Sequence, residues 1–281
     1  MQTSVVIGPT RPSVPLPVVE MDHLSWSSIQ TFRTCPRKFF HKYVRRDPEE
    51  SVAAALIHGG ALHRAVERVH QLRLLGDALP DVEELLHFFD LGMRDGLDRG
   101  VPVLFANGET VDSLRELAGR MLAAYLAHVK TEPPSEVIGI EHGDRVRLVP
   151  RAPEVETRLD LIELRGQDLI ITDLKTSRAK WSDDKTRENL PQLVLYAHVV
   201  LGQLEDLGAK RVVLRFVVVT KGKNPVVQVL SPAVSHDDAT RVKQLVSDCW
   251  QAISTATAFH RREGWQCKQC PFRKRCLSAG A

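Results

Sequence analysis

The sequence predicts an α/β (α+β) protein with a helical N-terminal region, then a sheet with helices packed on it, and finally a cysteine-rich tail. Three observations predict it. Apolar residues recur at helical spacing through the first half, and the pattern stops before Pro133-Pro134. From Ser135 onward the period changes to two, in runs short enough for strands. Cys267, Cys270 and Cys276 then cluster at the C-terminal end.

Each element follows from local chemistry. Residues 1–23, "MQTSVVIGPTRPSVPLPVVEMDH", are Pro-rich and lack a basic start followed by a continuous apolar stretch. They read as a flexible leader and not as a signal peptide. A helix is expected over 24–44, with Ser25 as N-cap and Leu24 and Ile29 placed to form a hydrophobic staple. Further helices are expected over 59–75, 81–97 and 110–130. The two apolar runs around His142-Gly143-Asp144 give a hairpin signal within 135–150. A second hairpin, 154–175, turns at Gly166-Gln167, with glycine at the first turn position. Helix returns over 189–204, strands over 211–220 and 226–231, and a long helix over 235–260. The expected units are thus the leader 1–23, a helical region 24–135, a sheet-bearing core 136–260 and the tail 261–281.

The chain has 281 residues, 43% hydrophobic and 26% charged, an ordinary globular mixture. No apolar run approaches the roughly 20 residues that cross a bilayer, so no membrane association and a cytoplasmic location are expected. A formal net charge of +3 leans only weakly toward a polyanionic partner. Five cysteines, an odd number with no secretion signal, argue against a disulfide framework.

The chemistry concentrates on the second hairpin. If Gly166 and Gln167 are the loop, Arg165 pairs with Asp168, and counting outward places Asp160 opposite Asp173. Cross-strand Cβ atoms lie roughly 4.5–5.5 Å apart, and like charges there destabilise the pair. Lys175 shares the face of Asp173, because side chains alternate along a strand. Apolar residues on both faces of the strand (Leu159 and Leu161, Ile162 and Leu164) imply cover on both sides. Two carboxylates in that setting need a compensating cation. Lys175 supplies one charge, and oxygen ligands suit Mg²⁺ or Mn²⁺ for the rest. A structural Asp–Lys–Asp network is the alternative, as is a turn displaced by one residue, which sends Asp160 to the other face.

Asp160 followed by Asp173-Leu174-Lys175 resembles the catalytic signature of the PD-(D/E)XK nuclease superfamily, and of its RecB-like exonucleases in particular. In that family a helical histidine precedes the acids in a context like "GGALHRAVE"; here His63 takes that place, with Glu67 one turn later. The family's Gln-x-x-x-Tyr helix is matched by Gln192 and Tyr196. Many relatives carry glycine where this chain has Thr157 or Arg158, and Glu141 resembles an outer acidic position. The resemblance implies a restriction-endonuclease-like mixed sheet flanked by helices. It also implies a metal site of His63, Asp160, Asp173 and the Leu174 carbonyl, and catalytic roles for Asp160, Asp173, Lys175, Glu67, Gln192 and Tyr196.

The tail spacing Cys267-x2-Cys270-x5-Cys276, with Cys35 near the N-terminus, resembles the iron–sulfur nucleases. These include AddB-type domains and the CRISPR-associated adaptation nucleases. The resemblance implies a [4Fe–4S] cluster stapling the N-terminal helix to the tail. Zn²⁺ in a Cys₄ site is the chemical competitor. Cys249, in a helix beside Trp250, reads as a buried apolar residue. Arg37, Lys38, Lys180, Trp181, Arg273 and Lys274 would supply a DNA-backbone patch with aromatic stacking, the alternative being solvated basic faces.

The implied function is a Mg²⁺- or Mn²⁺-dependent exonuclease acting on DNA, at single-stranded ends, in repair or recombination. A CRISPR adaptation nuclease that trims DNA before integration is a second reading, and a non-catalytic end-binding subunit beside a helicase a third. The long segment between His63 and Glu141 favours the RecB/AddB type over the more compact adaptation nucleases. No G-x-x-x-x-G-K-[ST] motif occurs, so a motor is a separate chain.

Overall fold

A computed structural model of the chain describes residues 19–201, 204 and 206–278. Residues 1–18 of the expected leader lie outside the described residues. Order begins before residue 24: Val19 is buried, and β1 (His23–Ser25) pairs in parallel with the start of β5 (Glu154–Arg165).

The single helix expected over 24–44 is broken. Ser25 caps α1 (Trp26–Thr34) through a capping box, as its position predicts. At Cys35 the backbone turns extended (φ −156°, ψ 104°), and the chain restarts as α2 (Pro36–Phe39), running into a π-helical turn over Phe40–Val44. Pro36 lacks an N–H and favours exactly the first helical turn, which makes a break at Cys35 the cheapest place to interrupt the helix. The consequence is that the Cys35 thiol is set between two helices.

Then come β2 (Val52–Ala53), α3 (Ala54–Leu75), α4 (Val82–Leu97), β3 (Val103–Leu104) and α5 (Val111–Thr131). The sheet half follows as β4 (Glu136–Val146), β5, β6 (Asp168–Ser177), α6 (Asp183–Val200), β7 (Arg211–Thr220), β8 (Val227–Leu230) and α7 (His236–Ser254). A 3₁₀ turn (Trp265–Gln269) and α8 (Arg273–Ser278) form the tail.

The hairpin expected at His142-Gly143-Asp144 does not form. β4 runs through those residues as one strand, antiparallel to β5 from Glu136↔Leu164 to Val146↔Val155. A long ladder to β5 overrides the local turn signal. The Gly166-Gln167 turn is as expected: Gly166 has φ +60°, Arg165 pairs with Asp168, and the register continues to Leu161↔Thr172. β6 pairs in parallel with β7 after the α6 crossover, giving a mixed six-stranded sheet of order β1-β5-β6-β7-β8 with β4 also on β5.

Two cores sandwich this sheet. Phe216 and Val218 of β7 join Trp26, Ile29 and Phe39 of the N-terminal helices and Leu193 and Val246 of α6 and α7. Val217 and Val219, alternate residues of the same strand, join α3, α4 and α5 through Ala61, Phe89 and Leu122. Helix cover on both faces is why β5 and β6 carry apolar residues on both sides. No described helix is long and apolar enough to cross a membrane.

Candidate active site

The site is assembled at the point where β4, β5 and β6 meet α3. Asp160 Oδ2 accepts from the Leu174 backbone N–H at 2.7 Å and lies 3.7 Å from His63 Nδ1. The Leu174 backbone also faces the His63 ring. Glu141 completes the group: His63, Glu141 and Asp160 each bring a ligand atom within 4.8 Å of the others. Sequence reasoning placed Glu141 in an outer role, yet it stands with the two inner residues. The register Ile140↔Leu161 and His142↔Leu159 puts Glu141 opposite Asp160, and its φ of +48° is a left-handed conformation that non-glycine residues rarely adopt. An acid one strand-width from Asp160 was the available signal; the backbone turn was not visible.

Asp173 lies deeper, only 1% exposed. Its Oδ1 accepts from Gln192 Nε2 at 2.8 Å, and Gln192 Nε2 also lies 2.6 Å from the Tyr196 hydroxyl. Its Oδ2 lies 2.7 Å from Lys175 Nζ. That contact is one of charges, not an aligned hydrogen bond, so the buried oxygen keeps an unused lone pair. The expected Gln192 and Tyr196 thus reach the site through Asp173, from α6 on the opposite side of the sheet to α3.

A cleft of about 660 Å³ opens over this group, lined by His63, Glu67, Glu141, Asp160, Leu174 and Lys175 among others. Glu67 faces it, though its carboxylate accepts from Gln71 Nε2 at 2.9 Å instead of supporting His63. Burial, and then the neighbouring Asp173 charge, push the Asp160 carboxyl well above its ordinary range. Burial pulls the His63 imidazole below its usual value, favouring the neutral form that can ligate a cation. Burial and the Asp173 charge hold the Tyr196 phenol protonated.

These residues fit a divalent cation. Three acidic groups converge with one ammonium, a buried carboxylate oxygen lacks an aligned donor, and a neutral imidazole stands among them. Carboxylate oxygens with one imidazole nitrogen suit a divalent cation.

The second cluster is at the tail. Cys35, Cys267, Cys270 and Cys276 line one cavity of about 280 Å³, together with Arg37, Lys38 and Arg273. The tail is fixed to the N-terminal segment by Phe259 stacked on Phe40 at 5.1 Å and by Phe272 stacked on His41 at 5.6 Å. Glu50 accepts from the Lys274 and Arg275 backbone N–H groups at 2.9 and 3.2 Å. Cys249 is buried in the core away from this cavity.

Among the residues expected to contact DNA, Lys180, Arg273 and Lys274 are exposed, and Arg37 and Lys38 are partly buried. Trp181 is a correction: it is 7% exposed and packs on Phe216 at 5.1 Å, so its ring has no free face for a base.

The family profile described as the PD-(D/E)XK nuclease superfamily matches residues 23–277. No curated protein matches the chain. Among solved structures, the chain is similar to the crystal structure of a "Putative exonuclease" from Eubacterium rectale. That match has 12% identity and a TM-score of 0.54, and covers 90% of this chain and 88% of that one. This likeness concerns the fold. The crystal structure of SSO0001 aligns at 14% identity over 83% of this chain and 88% of that one, with a TM-score of 0.34. With the family match running from β1 to the tail, and the sheet, the paired acids and the lysine in one cleft, the chain belongs to the PD-(D/E)XK nuclease superfamily.

Proposed function

We propose that the protein is a Mg²⁺- or Mn²⁺-dependent DNA exonuclease that hydrolyses phosphodiester bonds at single-stranded ends. The observation that carries this reading is the convergence of His63, Glu141 and Asp160 within 4.8 Å, beside the Asp173–Lys175 pair, in one open cleft. His63, Asp160, Asp173 and the Leu174 carbonyl would hold the cation, with Glu141 added to them. A bound divalent ion supplies Lewis acidity toward phosphate oxygen and lowers the pKa of a bound water.

The chain's own groups do the positioning. Lys175, whose side chain is partly exposed at the cleft, orients the attacking water and offers its ammonium to the charge that develops on the phosphate oxygens. Hydrolysis forms the bond from water oxygen to phosphorus and breaks the bond to the leaving sugar oxygen, which takes up a proton. Gln192 and Tyr196 keep Asp173 facing Lys175. The preference for single-stranded ends and a role in repair or recombination rest on the motif resemblance to RecB-like exonucleases.

The same reading assigns Cys35, Cys267, Cys270 and Cys276 to a [4Fe–4S] cluster. The four thiols share one cavity, and the choice of a [4Fe–4S] cluster over Cys₄ zinc rests on the resemblance to the iron–sulfur nucleases.

The test compares wild type with Lys175→Ala and Asp173→Ala on end-labelled single- and double-stranded DNA in Mg²⁺ or Mn²⁺. Stepwise shortening by wild type, with binding but no cutting by the variants, is expected. Equal cutting by all three overturns the nuclease assignment, and internal fragments in place of terminal nucleotides overturn the exonuclease part.

A further inference from the structure

Of the four tryptophans, Trp26 and Trp181 are buried, and Trp250 donates its indole N–H to the Arg151 carbonyl at 3.0 Å. Trp265 differs from these, at 84% exposed, and opens the 3₁₀ turn that carries Cys267. The tail that carries it is rich in cations. Arg261 and Arg275 of the tail are paired with Glu263 and Asp47. Lys38, Lys268, Arg273 and Lys274 have no carboxylate partner among the described residues, and Lys38 and Arg273 line the cysteine cavity.

An exposed indole that shares its 3₁₀ turn with Lys268, on a tail that continues into Arg273 and Lys274, matches a ligand with both π faces and regular negative charge. A protein partner would more commonly meet such an aromatic anchor in a pocket or patch depleted of charge. We infer that Trp265 is a base-stacking platform for single-stranded DNA, with Lys38, Lys268, Arg273 and Lys274 holding the adjoining phosphates. The inference rests on the nuclease reading and names a binding element for its substrate. The tail and the cleft are linked through a short stretch of chain: Glu50 binds the tail backbone at Lys274 and Arg275, and Ala55 and Leu56 line the cleft.

The test uses the full-length chain with its cofactor, titrated with fluorescein-labelled oligothymidylate in EDTA so that no divalent-dependent cutting occurs. Trp265→Ala is expected to weaken binding by roughly 5- to 100-fold, since stacking on an aromatic ring is of that order. Trp265→Phe is expected to recover most of the affinity. An abasic strand of equal length should bind wild type and Trp265→Ala alike. Quenching of the exposed indole fluorescence by the oligonucleotide should accompany binding in wild type. Equal oligothymidylate affinity for wild type and Trp265→Ala overturns the inference, and so does a change confined to the sedimentation of the free chain, which would assign the indole to a second copy. Cutting of end-labelled DNA in Mn²⁺ is scored separately. Wild type that cuts while Trp265→Ala binds unchanged sinks the platform alone; Trp265-dependent binding without cutting sinks the nuclease reading alone.

Discussion

Gln192 Nε2 donates to Asp173 Oδ1 at 2.8 Å, a hydrogen bond between an α6 side chain and a β6 carboxylate in a fully covered part of the sheet. A buried carboxylate is tolerated when donors and cations meet it, and Asp173 has one of each, Gln192 and Lys175. The amide thus leaves Asp173 Oδ2 as the oxygen that meets Lys175.

Gln192→Ala should lower the cutting rate by about 10- to 100-fold, the usual cost of losing a group that orients a ligand carboxylate. Raising Mn²⁺ should restore part of the rate. Tyr196→Phe, which removes only the hydroxyl behind the amide, should cost less. Initial rates against Mn²⁺ concentration measure both, and rates within twofold of wild type would remove the positioning role.

Glu141 allows stability and activity to be separated. Its left-handed backbone costs on the order of 1–2 kcal/mol for a residue with a Cβ, and its carboxylate crowds Asp160. Its ion pair to Arg158, at 2.5 Å, involves a mostly exposed guanidinium and adds little stability. Glu141→Gly should therefore raise the thermal midpoint while weakening Mn²⁺ binding. A loss of both properties would show that Glu141 is structural. In wild type, Mn²⁺ affinity should rise with pH as Asp160 sheds the proton that burial and Asp173 favour. Isothermal titration at several pH values reads that slope.

The residues that were legible in the sequence are those fixed by the hairpin count or by the family's motif. Gly166-Gln167 set the β5–β6 register, which brings Asp160 toward the Asp173 strand, and the family's i,i+4 motif brought Gln192 to the Asp173 carboxylate with Tyr196 on its amide. What was not legible depends on distant partners. The turn-like His142-Gly143-Asp144 was straightened by β5, and Trp181 was claimed by Phe216 across the crossover. The break at Cys35 was legible after all, because Pro36 disfavours a helical conformation in the residue before it. Glu141 needed a backbone conformation that composition does not announce.

His58 should make the protein acid-sensitive. It is fully buried against Phe89, neither ring nitrogen has a hydrogen-bond partner among the described residues, and burial, with Lys221 nearby, pulls its pKa down to about 4. The unfolded chain takes up the proton near pH 6.5, whereas the folded one refuses it until about 4. Stability is thus full above pH 6.5, falls as pH drops through that window, and levels off near pH 4; at pH 5 the loss is about 2 kcal/mol. His58→Leu removes the slope and an unsatisfied polar ring together. Its thermal midpoint should exceed wild type at pH 8 and by a wider margin at pH 5. Parallel shifts at the two pH values would show that the imidazole does not titrate as argued.

Cys35→Ser should separate the cluster from the nuclease fold. Cys35 is the only one of the four thiols outside the tail, so its loss opens the link between chain ends while leaving β4, β5, β6 and α3 intact. Removing a cross-link that closes so long a loop costs about 2–5 kcal/mol. The tail also has apolar and hydrogen-bonded anchors of its own, at Phe259, Phe272 and Glu50. The expected variant is folded, colourless and low in iron, with a lower thermal midpoint and a tail that proteases release between 261 and 278. Cys249→Ser, altering a core thiol away from the cavity, should keep both iron and colour whatever it does to stability. Anaerobic purification, iron analysis and absorbance in the thiolate-to-iron region distinguish the two. A colourless wild type with one zinc per chain would replace the cluster with a Cys₄ zinc site, and a Cys35→Ser protein that retains full iron would exclude Cys35 from either.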